Sequence, residues 1–110
     1  MQSSQFFGFH ESSIVGVHQV GGTITLELDD VQLGEEMRAV VIRLIGVKSI
    51  TRDGIEVADL VMEYEDGEIL TLEHTETTSH LIVEWNDFKQ HLSKTHSYRM
   101  IFDSIEIEIR

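Results

Sequence analysis

Cysteine and proline are both absent from the 110 residues, and each absence removes a class of answers. Without cysteine there is no disulfide framework, thiolate zinc site, iron–sulfur cluster or cysteine nucleophile, and the composition suits a reducing compartment. Without proline, turns have to be made by glycine, aspartate and asparagine. Cations are scarce: eight Lys and Arg stand against twenty Asp and Glu, a formal net charge of −12. Nucleic acid and anionic membrane are bound by cationic side chains that displace counterions, so this balance argues against both as partners. No apolar run approaches the roughly 18 residues of a spanning helix. The N-terminal MQSSQFFGFH has neither a basic first region nor a sustained apolar stretch. The expectation is a soluble cytoplasmic protein whose natural complement is a basic partner.

What the sequence does have is enough apolar residues, 41% of the chain, to fill one hydrophobic core, and a length that fits a single domain over residues 1–110. Its dominant periodicity is two. Val15 and Val17, then Ile24, Leu26 and Leu28, alternate with polar residues around Gly21-Gly22, which predicts a hairpin on a two-residue turn. That turn pairs Val20 with Thr23, Val17 with Leu26 and Val15 with Leu28, and leaves His18 exposed across from Thr25 and beside Glu27. Arg38 to Ile50 (RAVVIRLIGVKSI) is apolar on both parities and reads as a long central strand bent at Gly46. Arg52-Asp53-Gly54 is a further turn signal.

Leu60, Met62 and Tyr64, followed by Glu65-Asp66-Gly67 and then Leu70 and Leu72, read as a second hairpin. A three-residue loop with Gly67 in the left-handed conformation matches Met62 with Leu70 and Leu60 with Leu72. Leu81, Val83 and Trp85 mark another strand. Asn86 to Thr95 reads either as a short helix capped by Asn86, with Trp85, Phe88 and Leu92 on one side, or as a loop. Tyr98, Met100 and Phe102 share one parity and Ile105, Ile107 and Ile109 the other, so Asp103-Ser104 must hold a bulge or tight turn. Glu106, Glu108 and Arg110 then give a closing strand a charged, water-facing side. The fold class that follows is mainly β: an antiparallel meander of roughly eight strands forming a sandwich or partly open barrel, with at most one short helix.

Catalytic patterns are missing. Ser12-Ser13 has no helix start nearby, and there is no nucleophile elbow or glycine-rich phosphate loop. Adjacent acids such as Asp29-Asp30 and Glu35-Glu36 point to opposite sides of a strand. The chain therefore reads as a non-enzyme with no cofactor. The six histidines (His10, His18, His74, His80, His91, His96) lack metal-ligand spacing, so they read as surface residues rather than a metal site. A small oxygen-rich site at His74 and His80 with Glu73 or Glu76 is the alternative. His10-Glu11 has two readings. As structure, Phe6, Phe7 and Phe9 anchor the N-terminus while His10 and Glu11 satisfy backbone groups where the first strand begins. As a site, they are a ligand or acid–base pair on a sheet edge.

From Asp53 to Asp87 there are eleven acidic residues and no lysine or arginine. This stretch is either a solvated face or the docking face for a cationic protein. On the docking reading Glu63, Glu65, Asp66 and Glu68 steer the partner, and Tyr64 or Trp85 supplies the apolar anchor.

Phe9-His10-Glu11-Ser12-Ser13-Ile14, the alternating hairpin after it, and Tyr98-Arg99-Met100-Ile101 with Ser104-Ile105-Glu106-Ile107 near the end resemble a group of small bacterial β-rich proteins. That group opens with a phenylalanine-histidine-acid-small motif, and some of its members are immunity proteins of polymorphic toxin systems. Glu11 departs from the group, where aspartate is the more usual acid. The resemblance implies a protein-binding antitoxin role without catalysis, occluding a basic toxin. The alternative is a metal- or small-ligand-binding domain that uses His10 and Glu11, and a third reading is a structural or oligomerisation module.

Overall fold

Period-two alternation becomes ten antiparallel strands in a computed structural model that describes residues 7–110. They are β1 (Phe7–Gly8), β2 (Ser13–Val20), β3 (Thr23–Leu33), β4 (Glu36–Ile45), β5 (Ser49–Arg52), β6 (Ile55–Glu56), β7 (Asp66–His74), β8 (Thr78–Asp87), β9 (Leu92–Ile101) and β10 (Ser104–Ile109). The two beyond the expected eight are the two-residue strands β1 and β6. All ten lie in one mostly open sheet of order β10-β4-β3-β2-β7-β8-β9-β5-β6, with β1 paired to β3. No helix long and apolar enough to cross a membrane occurs among the described residues.

β2 and β7 meet in a narrow seam of only two register pairs, Ser13 with Glu68 and Ile14 with Gly67. On one side of this narrow seam, β3 and β4 turn Ile24, Leu26, Leu28, Ile42 and Leu44 inward. On the other, β7, β8 and β9 contribute Ile69, Leu81, Val83, Trp85, Tyr98 and Met100, and the two sets form one buried core. Phe7 and Phe9 stack at 5.4 Å, with Phe9 in that core and Phe7 packed against it. Phe6, also expected to anchor the N-terminus, lies outside the described residues.

The first hairpin forms on Gly21 and Gly22, whose φ values of +57° and +80° suit a primed turn, with Val20 opposite Thr23 and Val17 opposite Leu26. The expected pairing of Val15 with Leu28 is overturned. A bulge makes Val15 the extra residue, puts Ile14 opposite Leu28, and leaves Val15 in solvent. Arg38 to Ile50 is two strands rather than one. Gly46, at φ +70°, turns the chain away from β4 so that β5 joins β9 at the other end of the sheet. A Cβ on Gly46 would fall 2.8 Å from Asp103 Cγ, in the corner where β9 passes to β10.

Two further expectations fail for physical reasons. There is no hairpin at Glu65-Asp66-Gly67, because β7 already starts at Asp66 and pairs with β8. Gly67 does not make a turn. It sits opposite Trp85, whose Cζ3 would be 2.6 Å from a Cβ at this position. Leu60 is buried, and Met62 and Tyr64 pack against the core, but residues 57–65 form an irregular strap. The Gln19 side chain stands in for a ladder there, accepting from Leu60 N at 3.1 Å and donating to Ala58 O at 3.4 Å. Residues 86–95 contain no helix. β8 and β9 run up to a tight turn in which Asp87 Oδ1 accepts from Lys89 N and Gln90 N, both at 3.1 Å, and His91 takes φ +56°.

Candidate functional site

Because Gly67, Ile69, Val83 and Trp85 face the core, Glu68 and Glu84 face outward from the middle of the sheet, and the register sets them directly opposite each other. Ser13 of β2 and Thr95 of β9 extend this row. Among the described residues, no Lys, Arg or His forms an ion pair with either carboxylate. Like charges directly opposite in a sheet cost about 0.2–1 kcal/mol. The neighbouring row is ordered by hydrogen bonds: Asn86 Nδ2 donates to Asp66 Oδ2 at 3.1 Å, and Ser93 Oγ donates to Asn86 Oδ1 at 2.8 Å. Farther along β7, Glu73 lies opposite His80. The outward side of β7–β8 thus carries Asp66, Glu68 and Glu84 on one side of a bulge in β7 and Glu73 on the other, where the row continues through His80 to Arg99 of β9.

The acidic residues named from sequence divide between this surface and the strap. Asp66 and Glu68 belong to the outer surface, and Glu65 is exposed at its margin. Glu63 turns inward: its carboxylate, 13% exposed, meets Arg52 Nη1 and Lys94 Nζ, each at 3.0 Å. Burial alone would push this carboxyl up, but the Lys94 hydrogen bond and the Lys94 and Arg52 charges outweigh it and hold Glu63 below its usual range. Lys94 also lies 4.8 Å over the Tyr64 ring. Tyr64 is thereby committed to an internal contact.

Trp85, expected as a surface anchor, is fully buried. Its indole N–H donates to the Tyr98 hydroxyl at 2.8 Å. Burial pushes that hydroxyl above its ordinary pKa, with the Trp85 hydrogen bond opposing the shift. Beside it, Asp53 fastens the β5–β6 turn to β9 by accepting from Ser97 N at 2.8 Å and from His96 Nδ1 at 2.6 Å. The Ser97 bond, followed by the His96 bond, draws the Asp53 carboxyl below its usual value. Every charge in this inner cluster is engaged in holding the strap and the β5–β6 hairpin in place.

His10 and Glu11 lie at the β2–β7 seam. His10 Nδ1 donates to the Leu70 carbonyl at 2.8 Å, and Leu70 is the extra residue of the β7 bulge. Glu11 N donates to Ile69 O at 2.7 Å, with its own φ at +69°. The Ser12 hydroxyl closes the turn on the Phe9 carbonyl. What Glu11 gives to the fold is its backbone, in a conformation glycine adopts freely. Glu11→Gly is therefore expected to leave stability unchanged or raise it by up to about 1 kcal/mol; a loss larger than that in urea unfolding would mean the carboxylate itself holds the seam.

The other histidines are dispersed. His18 is exposed and donates to Glu27 Oε1 at 2.9 Å, and His80 shares a 2.9 Å hydrogen bond with Ser97 Oγ. His74 and His80 flank a hairpin turn in which Thr75 Oγ1 accepts from Thr77 N and Thr78 N. Among the described residues, no three His, Asp or Glu side chains converge as metal ligands would.

Sequence reasoning missed two surface residues. Glu84 alternates with Val83 and Trp85, and that alternation already implies its outward direction. Phe88, 63% exposed on the β8–β9 turn, was hidden by the helical reading of its segment. The features together define an antiparallel all-β protein whose outer surface carries two facing carboxylates, Glu68 and Glu84, without an ion-pair partner among the described residues. No family model, curated protein or solved structure matches the chain.

Proposed function

We propose that this chain is a non-catalytic protein-binding module whose outer β7–β8 surface docks a basic protein and occludes it, as an immunity protein occludes a toxin. The observation that carries the proposal is the unpaired, in-register juxtaposition of Glu68 and Glu84. A lysine or arginine from a partner, placed between the two carboxylates, turns their mutual repulsion into two attractions. The net charge of −12 steers such a partner inward at a rate that falls as salt rises. Phe88, on the β8–β9 turn that follows β8, offers the exposed aromatic that an interface core requires. The resemblance of the N-terminal motif to immunity proteins points to the same class of partner.

Stability and binding then move in opposite directions. Glu84→Lys replaces a repulsive cross-strand pair by an attractive one, so it is expected to raise unfolding free energy by about 0.5–1 kcal/mol while weakening capture of the partner. The test is affinity capture at low salt from a lysate of the source organism, using the native protein and the Glu68→Lys/Glu84→Lys double variant. The expected result is a basic protein held by the native chain and lost by the variant, with association slowing steeply as salt is raised. Equal capture by both proteins, or association indifferent to salt, would overturn the reading.

A further inference from the structure

β10 ends the sheet: it pairs with β4 on one side, and among the described residues no strand pairs with its other side. The ladder fixes which of its backbone groups are free. Arg110 N donates to Ala39 O at 2.8 Å, directly across the register that sets Ile109 opposite Val40. In an antiparallel pair the bonding residues alternate, so Ser104, Glu106, Glu108 and Arg110 spend their backbone groups on β4. The N–H and C=O groups of Ile105, Ile107 and Ile109 consequently point away from the sheet, at every second residue along a regular strand. This row is a template for one more strand.

The side chains of β10 select what can use it. Ile105 and Ile107 pack against the core, while Glu106 and Glu108 face water on the other side. Glu108 is paired with Arg43 at 2.9 Å and with Arg110 at 3.7 Å, and Glu106 has no ion-pair partner among the described residues. A second copy of this strand fits poorly. Two-fold antiparallel pairing through the free groups of the isoleucines can be centred on residue 106, 107 or 108. These centres place Glu106 against Glu106, Glu106 against Glu108, or Glu108 against Glu108. These are the registers that engage at least two isoleucines of each copy; each sets like charges directly opposite, and only the one centred on 108 also sets Glu106 opposite Arg110.

We infer that the β10 edge accepts an extended segment of a partner protein that alternates basic and apolar residues. One of its lysines or arginines lies across from Glu106 on the outer side, and its apolar residues continue the row of Ile105, Ile107 and Ile109. Hydrogen bonds to the three isoleucine backbones provide the attachment, and the glutamates exclude acidic segments and self-pairing. This surface is an edge of the sheet, separated from β7 by β4, β3 and β2, so it stands or falls separately from the acidic face of β7–β8.

The test uses a capped peptide of ~7 residues, about the length of one strand, that alternates lysine and valine. A glutamate–valine peptide is the control, and amide hydrogen exchange of the full chain is the readout. The lysine peptide is expected to slow exchange at the Ile105, Ile107 and Ile109 amides, in the native protein and in the Glu68→Lys/Glu84→Lys variant alike; the glutamate peptide should do neither. Ile109→Pro removes an N–H that the native ladder does not use. It should leave the thermal midpoint near the native one while weakening the lysine peptide by about tenfold or more, one to two backbone hydrogen bonds. Glu106→Lys should weaken it as well without touching the backbone row, and serves if the proline variant fails to fold. The inference is overturned if the lysine peptide leaves these amides unprotected, if the glutamate peptide protects them equally, or if concentration alone protects them through a dimer.

Discussion

Trp85→Ala is expected to lower the free energy of unfolding by about 3–5 kcal/mol, a large share of the 5–15 kcal/mol that a domain of this kind typically has. Trp85 is fully buried, and its removal both empties the centre of the β7–β8–β9 layer and leaves the Tyr98 hydroxyl without its donor. The ring also explains Gly67. A Cβ there would lie 2.6 Å from Trp85 Cζ3 and 2.8 Å from Cε3, distances at which ring or strand must move, and the strand is fixed by register on β8. Gly67→Ala alone should therefore cost about 1–3 kcal/mol by overpacking. In the Trp85→Ala background the same methyl group enters the vacated space, so the double variant should be more stable than the sum of the single losses implies, with a coupling of about 1–2 kcal/mol. Because Trp85 is the single tryptophan, unfolding of all four proteins has to be followed by circular dichroism. Strictly additive losses would show that the indole does not dictate the glycine.

Gly67 also illustrates where the sequence stops being legible. Alternation gives the strands around Val17, Leu26 and Val83, and Gly21-Gly22 and Asp53-Gly54 give turns, because those signals are local: positive φ at consecutive positions needs these residue types. Glu65-Asp66-Gly67-Glu68 carries the same local signal with a different cause, since the glycine answers to a ring on the next strand. The same blindness applies to the acidic stretch. Counting charges from Asp53 to Asp87 finds no cation, yet Arg52 lies immediately before the stretch and Lys94 shortly after it, and the fold returns both to Glu63. The partition of acids between a paired inner cluster and an unpaired outer row depends on strand register, which becomes readable only once the bulges at Ile14/Gly16 and Ile69/Thr71 are known. His10 and Glu11 are likewise explained by the β7 bulge they meet, an irregularity far away in sequence.

Glu63→Gln is expected to lower the unfolding free energy at neutral pH by about 1–3 kcal/mol. This lies between the cost of breaking a buried ion pair and that of an exposed one, because Glu63 is 13% exposed while Arg52 and Lys94 are each 39% exposed. Glutamine keeps the shape and can still hydrogen-bond, so what is lost is the charge that two cations share. Two carboxyls, Glu63 and Asp53, set an acid limit on the fold. Glu63 and Asp53 both have carboxyls held below their ordinary values of 4.5 and 3.8, so the unfolded chain binds protons more readily than the folded one in that range. Their contribution is complete above the ordinary values and is lost as pH falls through the lowered ones. The native thermal midpoint should consequently drop on acidification from about pH 5 downward. The Glu63→Gln midpoint, lower at neutral pH, should fall less steeply over the same interval. Parallel curves would mean that Glu63 takes no part in the acid transition. The sign also separates the two acidic groups: neutralising Glu63 releases the strap from the inner face and weakens the fold, whereas reversing Glu84 relieves repulsion and strengthens it. A variant that loses its partner while gaining stability has therefore lost a surface contact, and of these two acidic groups it is the outer row that produces the combination.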